Sequence, residues 1–325
     1  MNERDLLVRL IAGPASGDAL ARESGQTRAA IWKNIEALRA GGIAIDAQAG
    51  RGYALRRTVE LLDSNAIGIA LTDAARAELA TLDVAWSIDS TNSALLREST
   101  PRQGATVLLA ERQTAGRGRR GRAWASPLAA NLYLSVARYF SGGLTRLGGL
   151  SLVAGVALAE ALHALGYADA RLKWPNDVLV GMRKLGGILV EGGGEHAGPV
   201  RAVIGIGLNV RMPQADAVTD PPAIDQPWID LATLDTPLPS RNALAASVLS
   251  HLIPAFQTFD RDGLAPFLPR YACMDALAGR SITVQAGDGE HIGQALGIAS
   301  DGALRVGLAD GERVFHSGDV SVRPR

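Results

Sequence analysis

The chain has 325 residues, a formal net charge of zero at pH 7 and a hydrophobic fraction of 47%. This length permits two or three domains with a sizeable core, and the zero net charge excludes a strong overall attraction to nucleic acid. The single cysteine, Cys273, excludes an internal disulfide and any metal site built from several cysteines. The first residues form no signal-peptide core and the uncharged run 147–159 is too short to span a membrane, so we expect a soluble cytoplasmic protein.

Residues 1–62 are predicted to form a winged helix-turn-helix domain. The first helix has one apolar face, formed by Leu6, Leu7, Leu10 and Ile11. Ser16 and Thr27 are typical caps of two further helices, and Gly25 supplies the tight turn between them. Strands 43–46 and 53–55 form the predicted wing around Gly50-Arg51-Gly52. In the third helix, the residues expected to be buried are Ile31, Ile35 and Leu38.

This N-terminal domain is a candidate DNA-binding module. Residues 1–57 contain nine Lys or Arg and six Asp or Glu, a net charge of about +3. That modest charge leaves open a module that mediates protein contacts, since helix-turn-helix geometry is not exclusive to DNA binding. The residues predicted to contact DNA are Thr27, Arg28, Trp32, Lys33 and Arg51.

Residues 63–275 alternate helical and strand-like stretches and are predicted to form a second domain. The polar cluster Asp89-Ser90-Thr91-Asn92 opens a helix. Buried strands are expected at 105–110 and 131–136, and between them lies Gly116-Arg117-Gly118-Arg119-Arg120-Gly121-Arg122. Each arginine offers a planar fork of donors to phosphate or carboxylate, and each glycine lets backbone N–H groups approach the same anion. The loop therefore indicates an anion site.

The rest of this domain adds further polar residues beside predicted strands. A buried helix is expected at 147–165, and Lys173-Trp174-Pro175-Asn176-Asp177 precedes a strand at 184–191. A further strand, 203–210, carries Gly205 and Gly207, where a ligand or another backbone can approach closely. Six of the fifteen prolines lie within 211–240, which predicts an irregular surface segment.

Residues 276–325 are predicted to form a small SH3-like β-barrel. Short alternating strands are expected at 281–286, 291–299, 303–309 and 313–316. Three Asp-Gly pairs separate them, and Asp-Gly is a strong hairpin signal.

Six motifs, in this order, resemble those of the biotin–protein ligases, in particular the bifunctional type that is also the repressor of the biotin operon. They are DSTN (89–92), GRGRRGR with Trp124 and Ser126-Pro127 behind it, ANLYLS (130–135), KWPNDV (173–178), KLGGILVE (184–191) and GIGLNV (205–210). The resemblance implies a central mixed sheet flanked by helices, akin to the catalytic domain of class II aminoacyl-tRNA synthetases. The chain departs from the family pattern at Ala123, Ala125 and Leu128-Ala129, the last replacing a Gly-containing link.

The resemblance implies two half-reactions, in which biotin and MgATP give biotinyl-5′-adenylate, and a carrier-protein lysine then takes the biotin. The candidate catalytic residues are Lys184, Arg119 and Asp177. Asp177 has three open roles: acting on the incoming lysine, binding Mg²⁺, or capping a turn. The candidate biotin-binding residues are Ser90, Thr91, Asn92, Gln113, Arg117, Gly118, Arg119, Lys184, Gly186 and Gly187. The candidate ATP and adenylate contacts are Arg119, Arg120, Arg122, Trp124, Asn176, Lys184 and Asn209.

The implied partners are the biotin carboxyl carrier protein of acetyl-CoA carboxylase, biotin operator DNA, and a second copy of the chain when the adenylate is bound. Biotin would then be both substrate and precursor of the corepressor. The five histidines have no ligand-like spacing, so no zinc site is expected. Three alternatives stay open at this point: a lipoate–protein ligase, a ligase whose N-terminal module does not bind DNA, and a sensor that has lost catalysis.

Overall fold

A computed structural model describes residues 1–48, 52–143, 147–193, 198–213, 224, 226–318 and 320–324. Within these residues the chain forms an N-terminal helical module, a central mixed sheet flanked by helices, and a C-terminal antiparallel sheet. This architecture confirms the predicted multidomain α/β fold. None of the described helices is both long and apolar enough to cross a membrane.

The N-terminal module has the predicted helix-turn-helix geometry. Its elements are α1 (Glu3–Ile11), α2 (Gly17–Ser24), α3 (Arg28–Ala40), β1 (Ile45–Gln48) and β2 (Gly52–Leu55). Ser16 and Thr27 accept hydrogen bonds from backbone N–H groups in the first turns of α2 and α3, as helix caps do. Gly25 ends α2 with a φ of 65°, in the left-handed region. Ile31, Ile35 and Leu38 are buried, as predicted.

Two details of this module differ from the sequence predictions. Ile11 is 39% exposed rather than buried, because it is the last residue of α1, where the chain turns away toward Gly13. The two wing strands pair antiparallel, with Ile45 opposite Leu55. The first of them begins at Ile45, two residues later than predicted. Arg51, at the tip of the predicted wing, lies outside the described residues.

The central domain contains a seven-stranded sheet in the order β3-β4-β5-β9-β8-β7-β6. Its strands are β3 (Leu79–Ala85), β4 (Ala105–Ala110), β5 (Leu132–Phe140), β6 (Ala170–Lys173), β7 (Asp177–Val180), β8 (Arg183–Gly193) and β9 (Val200–Leu208). Only β3 and β4 run parallel among the pairings of these strands. The sheet therefore confirms the expected mixed topology.

Helices cover this sheet and complete the core. They are α4 (Ser64–Ala70), α5 (Asp73–Ala77), α6 (Thr91–Arg97), α7 (Leu150–Ala164), α8 (Arg241–Asp262) and α9 (Leu268–Met274). The predicted buried helix is α7, whose side chains are almost all inside the core. Strand β9 ends at Leu208, so Asn209 and Val210 follow the strand instead of belonging to it.

The C-terminal domain is a five-stranded antiparallel sheet in the order β13-β12-β11-β10-β14. Its strands are β10 (Ser281–Ala286), β11 (Gly289–Ile298), β12 (Leu304–Leu308), β13 (Gly311–Phe315) and β14 (Ser321–Pro324). The sequence did not predict β14, which is only four residues long and pairs Arg323 with Thr283. The domain shares one continuous apolar core with the central domain, so the two are packed against each other.

The segment that follows the arginine loop packs into the N-terminal module. Leu128 is buried among the core side chains of that module, and its backbone N–H donates to the carbonyl of Gly41, 2.7 Å away, at the end of α3. Nearby, the buried Arg241 and Glu111 form an ion pair at 2.8 Å. Glu111 also accepts a hydrogen bond from the backbone of Leu62. The N-terminal module is therefore hydrogen-bonded to the segment that directly follows the arginine loop.

Ala129 provides a test of this local geometry, because its φ of +51° lies in the left-handed region. That conformation costs an L-residue roughly 1–2 kcal/mol, partly offset by the greater unfolded-state entropy of glycine. We expect Ala129→Gly to raise the free energy of unfolding by about 0.5–1 kcal/mol, measured by urea denaturation.

The matched control is Ala130→Gly, the next residue, which is buried and does not have a positive φ. It should lower stability by about 1 kcal/mol. If both substitutions destabilise the protein equally, the backbone of Ala129 is not strained.

Candidate active site

A strip of bare backbone lies at the centre of the sheet, where β8 and β9 run side by side. Gly187 is paired directly with Gly207, and Gly186 with Leu208. A Cβ built on Gly186 would lie 3.0 Å from the carbonyl oxygen of Gly207, a tighter contact than most real Cβ atoms make. The glycines of KLGGILVE and GIGLNV are therefore required to leave this part of the sheet without side chains, which we call the glycine floor (Gly186, Gly187 and Gly207).

The arginine loop forms a narrow hairpin with a short neck. Its two sides are joined by hydrogen bonds from Gly118 N–H to the Arg122 carbonyl, at 2.7 Å, and from Trp124 N–H to the Gly116 carbonyl, at 2.8 Å. A single helical turn at 119–121 makes the tip, with Arg120 in the left-handed region at φ 57°. The alternation of glycine and arginine therefore gives a defined hairpin instead of an extended cationic segment.

The four arginines of this hairpin do not point to one place. Arg117 donates to Glu191, on β8, at 3.0 Å. Arg119 donates to the side chain of Asn176 at 3.2 Å and to the carbonyls of Ser317 and Gly318 in the C-terminal domain. Arg120 and Arg122 are exposed. Arg117 is thus paired with a carboxylate, whereas Arg119 donates to an amide oxygen and two backbone carbonyls.

Beside the glycine floor, Asp177 lies between two lysines. Lys184 Nζ is 2.6 Å from one carboxylate oxygen and Lys173 Nζ is 3.9 Å from the other. All three side chains are at most 19% exposed, so their charges are only weakly screened. Both Asp177 oxygens face ammonium groups, which is a poor arrangement for a magnesium ligand.

Lys173 is an additional cation that the sequence analysis did not assign to the site. Burial lowers its pKa below the ordinary value, and the charges of Lys184, Arg323 and Arg122 lower it further, against the opposing effect of Asp177. The position of Lys173 in KWPNDV is the signal that could have identified it, because a tight hairpin pairs it with Asp177. Arg323 comes from β14, which the sequence did not predict.

Trp124 lies directly on the glycine floor. A Cβ on Gly207 would be 2.6 Å from the indole Nε1, and one on Gly187 would be 3.1 Å from the ring. Lys184 Nζ is 5.5 Å from the ring centroid. The indole Nε1 is buried and has no hydrogen-bond partner among the described residues. Trp124 therefore covers the surface of the sheet above Gly187 and Gly207.

The polar residues of DSTN form a connected network with Gln113. Gln113 Oε1 accepts hydrogen bonds from the backbone and hydroxyl of Thr91, at 2.9 and 3.2 Å. Its amide group donates to Ser126 at 3.2 Å. Ser90 is buried and caps α6. Thr91, Gln113 and Ser126 are therefore brought together at the base of the arginine loop.

Three predicted ligand contacts have their amides engaged within the protein. Asn92 donates to Glu191 at 2.8 Å and accepts from Ser135 at 2.6 Å. Asn176 donates to the carbonyl of Ile188 at 2.8 Å, and Asn209 donates to that of Ile229 at 3.1 Å. These hydrogen bonds indicate positioning roles, because asparagine amides bound to buried backbone are costly to release.

Four of the five predicted DNA-contacting residues lie on α3 or at its N-terminal cap. Thr27, Arg28 and Lys33 are exposed, and the Trp32 side chain is 57% exposed. Arg28 also forms an exposed ion pair with Asp18 at 3.2 Å. Among the residues that the structure describes, no group of three or more His, Cys, Asp or Glu side chains is arranged to hold a metal ion.

Three family models match the chain. The model of the biotin/lipoate A/B protein ligase family matches residues 84–209, which include the glycine floor and the arginine loop. An HTH domain model matches residues 2–54, and the model of the biotin protein ligase C-terminal domain matches residues 278–323.

Relatives and solved structures resemble the chain over most of its length. The bifunctional ligase/repressor BirA of Escherichia coli is 38% identical over 95% of this chain and 92% of its own length. The biotin–[acetyl-CoA-carboxylase] ligase of Mycobacterium tuberculosis is 36% identical over 74% of this chain and 88% of its own. A biotin protein ligase from Aquifex aeolicus, solved with biotin and ATP, gives a TM-score of 0.65 at 26% identity, covering 76% of this chain and all of that one.

The contact between Trp124 and Gly207 can be tested by fluorescence. Gly207→Ala places a methyl group where the indole lies, so we expect Trp124 to move into water, with red-shifted emission and stronger acrylamide quenching. The same substitution in a Trp124→Phe background should produce no such change.

Gly193→Ala on β8 is the matched control, since a Cβ there meets nothing within 4 Å. Unchanged emission in Gly207→Ala would contradict the position of the indole on the glycine floor.

Proposed function

Since the chain belongs to the family of bifunctional biotin–protein ligases and repressors, we propose that the glycine floor and its surrounding cations join biotin to AMP and then release it to a carrier lysine. The protein is a biotin–[acetyl-CoA-carboxylase] ligase that uses biotin and ATP, and it has a repressor role. The main support for this mechanism is the Lys184–Asp177 ion pair beside the glycine floor.

In the first half-reaction, a biotin carboxylate oxygen attacks the α-phosphorus of ATP, and pyrophosphate leaves. Two anions must meet, so preplaced cations lower the barrier by stabilising the charge of the transition state. We assign Lys184 to the carboxylate and α-phosphate together, and Arg119 to the phosphate. Arg120 and Arg122 are assigned to the remaining phosphates. Asp177 holds the Lys184 ammonium in place until the substrates arrive.

In the second half-reaction, the ε-amine of a carrier lysine attacks the carbonyl of the adenylate, and AMP leaves. The incoming lysine must lose a proton, and we assign its removal to Asp177, the carboxylate paired with Lys184. We assign Mg²⁺ to the triphosphate as it enters with ATP, and derive no metal role for Asp177. The reaction is placed in the cytoplasm, where ATP is made.

Biotin is assigned to the pocket at the base of the arginine loop. Its ureido ring has one carbonyl acceptor and two N–H donors, which match Ser90, Thr91, Gln113 and the backbone of Arg117 and Gly118. Lipoate has no ureido ring, so it lacks the carbonyl and N–H groups that this assignment pairs with the polar residues. Trp124 must shift to admit a ring onto the glycine floor, and we assign its displaced indole to the adenine.

The repressor role is assigned to a homodimer that presents two copies of α3 to a two-fold-related operator. The buried Leu128 connects the arginine loop to the end of α3, so a change in the loop reaches the DNA-binding module through directly bonded groups. Adenylate binding neutralises the loop cations and would thereby favour both loop order and self-association.

Lys184→Ala should lower the rate of adenylate formation about a hundredfold, a loss on the order of 3 kcal/mol of transition-state stabilisation. The reason is that the ammonium is needed most when the carboxylate meets the phosphate. The measurement is pyrophosphate release in a single turnover. Lys33→Ala, on α3, removes a lysine far from the reaction and should leave this rate unchanged. Near wild-type release in Lys184→Ala would remove Lys184 from the mechanism.

A biotinyl-adenylate analogue should strengthen both dimerisation and operator binding in parallel, because both depend on the same ordered loop. Sedimentation measures the first and gel-shift titration the second. Lys33→Ala should weaken operator binding at least severalfold while dimerisation is preserved, since phosphate contacts supply most of the affinity for DNA. If the analogue changes neither property, the N-terminal module is not coupled to the ligand site.

A further inference from the structure

Glu191, at the far end of the KLGGILVE strand, faces the neck of the arginine loop. Its carboxylate accepts hydrogen bonds from Arg117, at 3.0 Å, and from Asn92, at 2.8 Å. Arg117 donates to the Ser93 hydroxyl as well, also at 3.0 Å. Three segments distant in sequence, the start of α6, the loop neck and β8, therefore meet at one carboxylate.

The Glu191 carboxylate is held by Asn92, whose own position is fixed by a second hydrogen bond. The Asn92 amide that donates to Glu191 also accepts from the buried Ser135 hydroxyl on β5, at 2.6 Å. The Glu191 side chain is 24% exposed, so its interaction with Arg117 is less screened than that of an ordinary surface ion pair. Glu191 is thus a fixed point on the sheet to which Arg117 is attached.

The attachment determines where the backbone of the loop lies. Arg117 is paired with Ala123 across the neck, next to the hydrogen bond from Gly118 N–H to Arg122. Moving the Arg117 side chain away from Glu191 would therefore move the backbone groups of Arg117 and Gly118. These are the groups that the proposed function assigns to the ureido ring.

We propose that Glu191 is a positioning residue for biotin: it holds Arg117 so that the loop neck presents its backbone to the ureido ring. This inference rests on the proposed function. The Glu191–Arg117 ion pair also gives the four arginines different roles, since Glu191 neutralises the charge of Arg117 and this arginine does not bind phosphate. The triphosphate is left to Arg119, Arg120 and Arg122.

The test is a double-mutant cycle on the full-length protein with Glu191→Gln, Arg117→Gln and the combination of the two. Biotin affinity is measured by calorimetry, and the KM for ATP by pyrophosphate release. Each single variant should weaken biotin binding about tenfold and the double variant also about tenfold, because both substitutions break the same contact. The KM for ATP should stay within about twofold in all three variants, whereas Arg119→Gln should raise it about tenfold or more.

Glu160→Gln is the matched control, since the Glu160–Arg270 pair on α7 and α9 has a similar exposure, 29% against 24% for the two carboxylate side chains. It should bind biotin like the wild type, and all variants should have similar melting temperatures. Wild-type biotin affinity in Glu191→Gln would overturn the proposal. So would a hundredfold loss in the double variant, or a rise in the KM for ATP in Arg117→Gln. If the wild type itself binds no biotin, the proposed function fails instead.

Discussion

Mutual repulsion among cations is the constraint on which the rest of this structure depends. A site that joins a carboxylate to a phosphate needs several positive charges at one place, and those charges must be held there when the site is empty. Here Asp177 lies between Lys173 and Lys184, Glu191 compensates Arg117, and carbonyls of the C-terminal domain accept hydrogen bonds from Arg119. Asp177 and the carbonyls thereby hold their cations in place at the site, whereas Glu191 neutralises Arg117.

The surrounding fold supplies these compensating groups from separate parts of the chain. The backbone of Lys184 is bonded on both sides to the segment 227–229, and Asn209 bonds the same segment from the end of β9. The C-terminal domain shares the core of the central domain, which fixes its carbonyls near Arg119. The N-terminal module holds the end of the loop through Leu128. The proposed ligand site therefore lies where all three domains meet, and this is the connection that the proposed regulation by the adenylate uses.

The elements that are determined by interactions within a few residues were predicted from the sequence. The caps at Ser16 and Thr27, the buried helix α7 and the strand at 105–110 were predicted because hydrogen-bonding caps and apolar periodicity act within a few residues. The roles of Asn92 and Asn209 were harder to predict, because an amide matches a ligand and a backbone carbonyl equally well. Only the tertiary arrangement decides between them. Trp124 on the glycine floor, Glu191 under the loop and the short β14 are likewise consequences of packing between distant segments.

The central claim is that one site, lined by these cations, activates biotin through an adenylate. Biotin-dependent exchange of labelled pyrophosphate into ATP measures that reversible step directly, in the absence of any carrier protein. We predict exchange that requires biotin and is not supported by lipoate, since lipoate has no ureido group to pair with the polar residues around Thr91 and Gln113. Exchange that proceeds equally with lipoate, or no exchange with biotin and MgATP, would contradict the account.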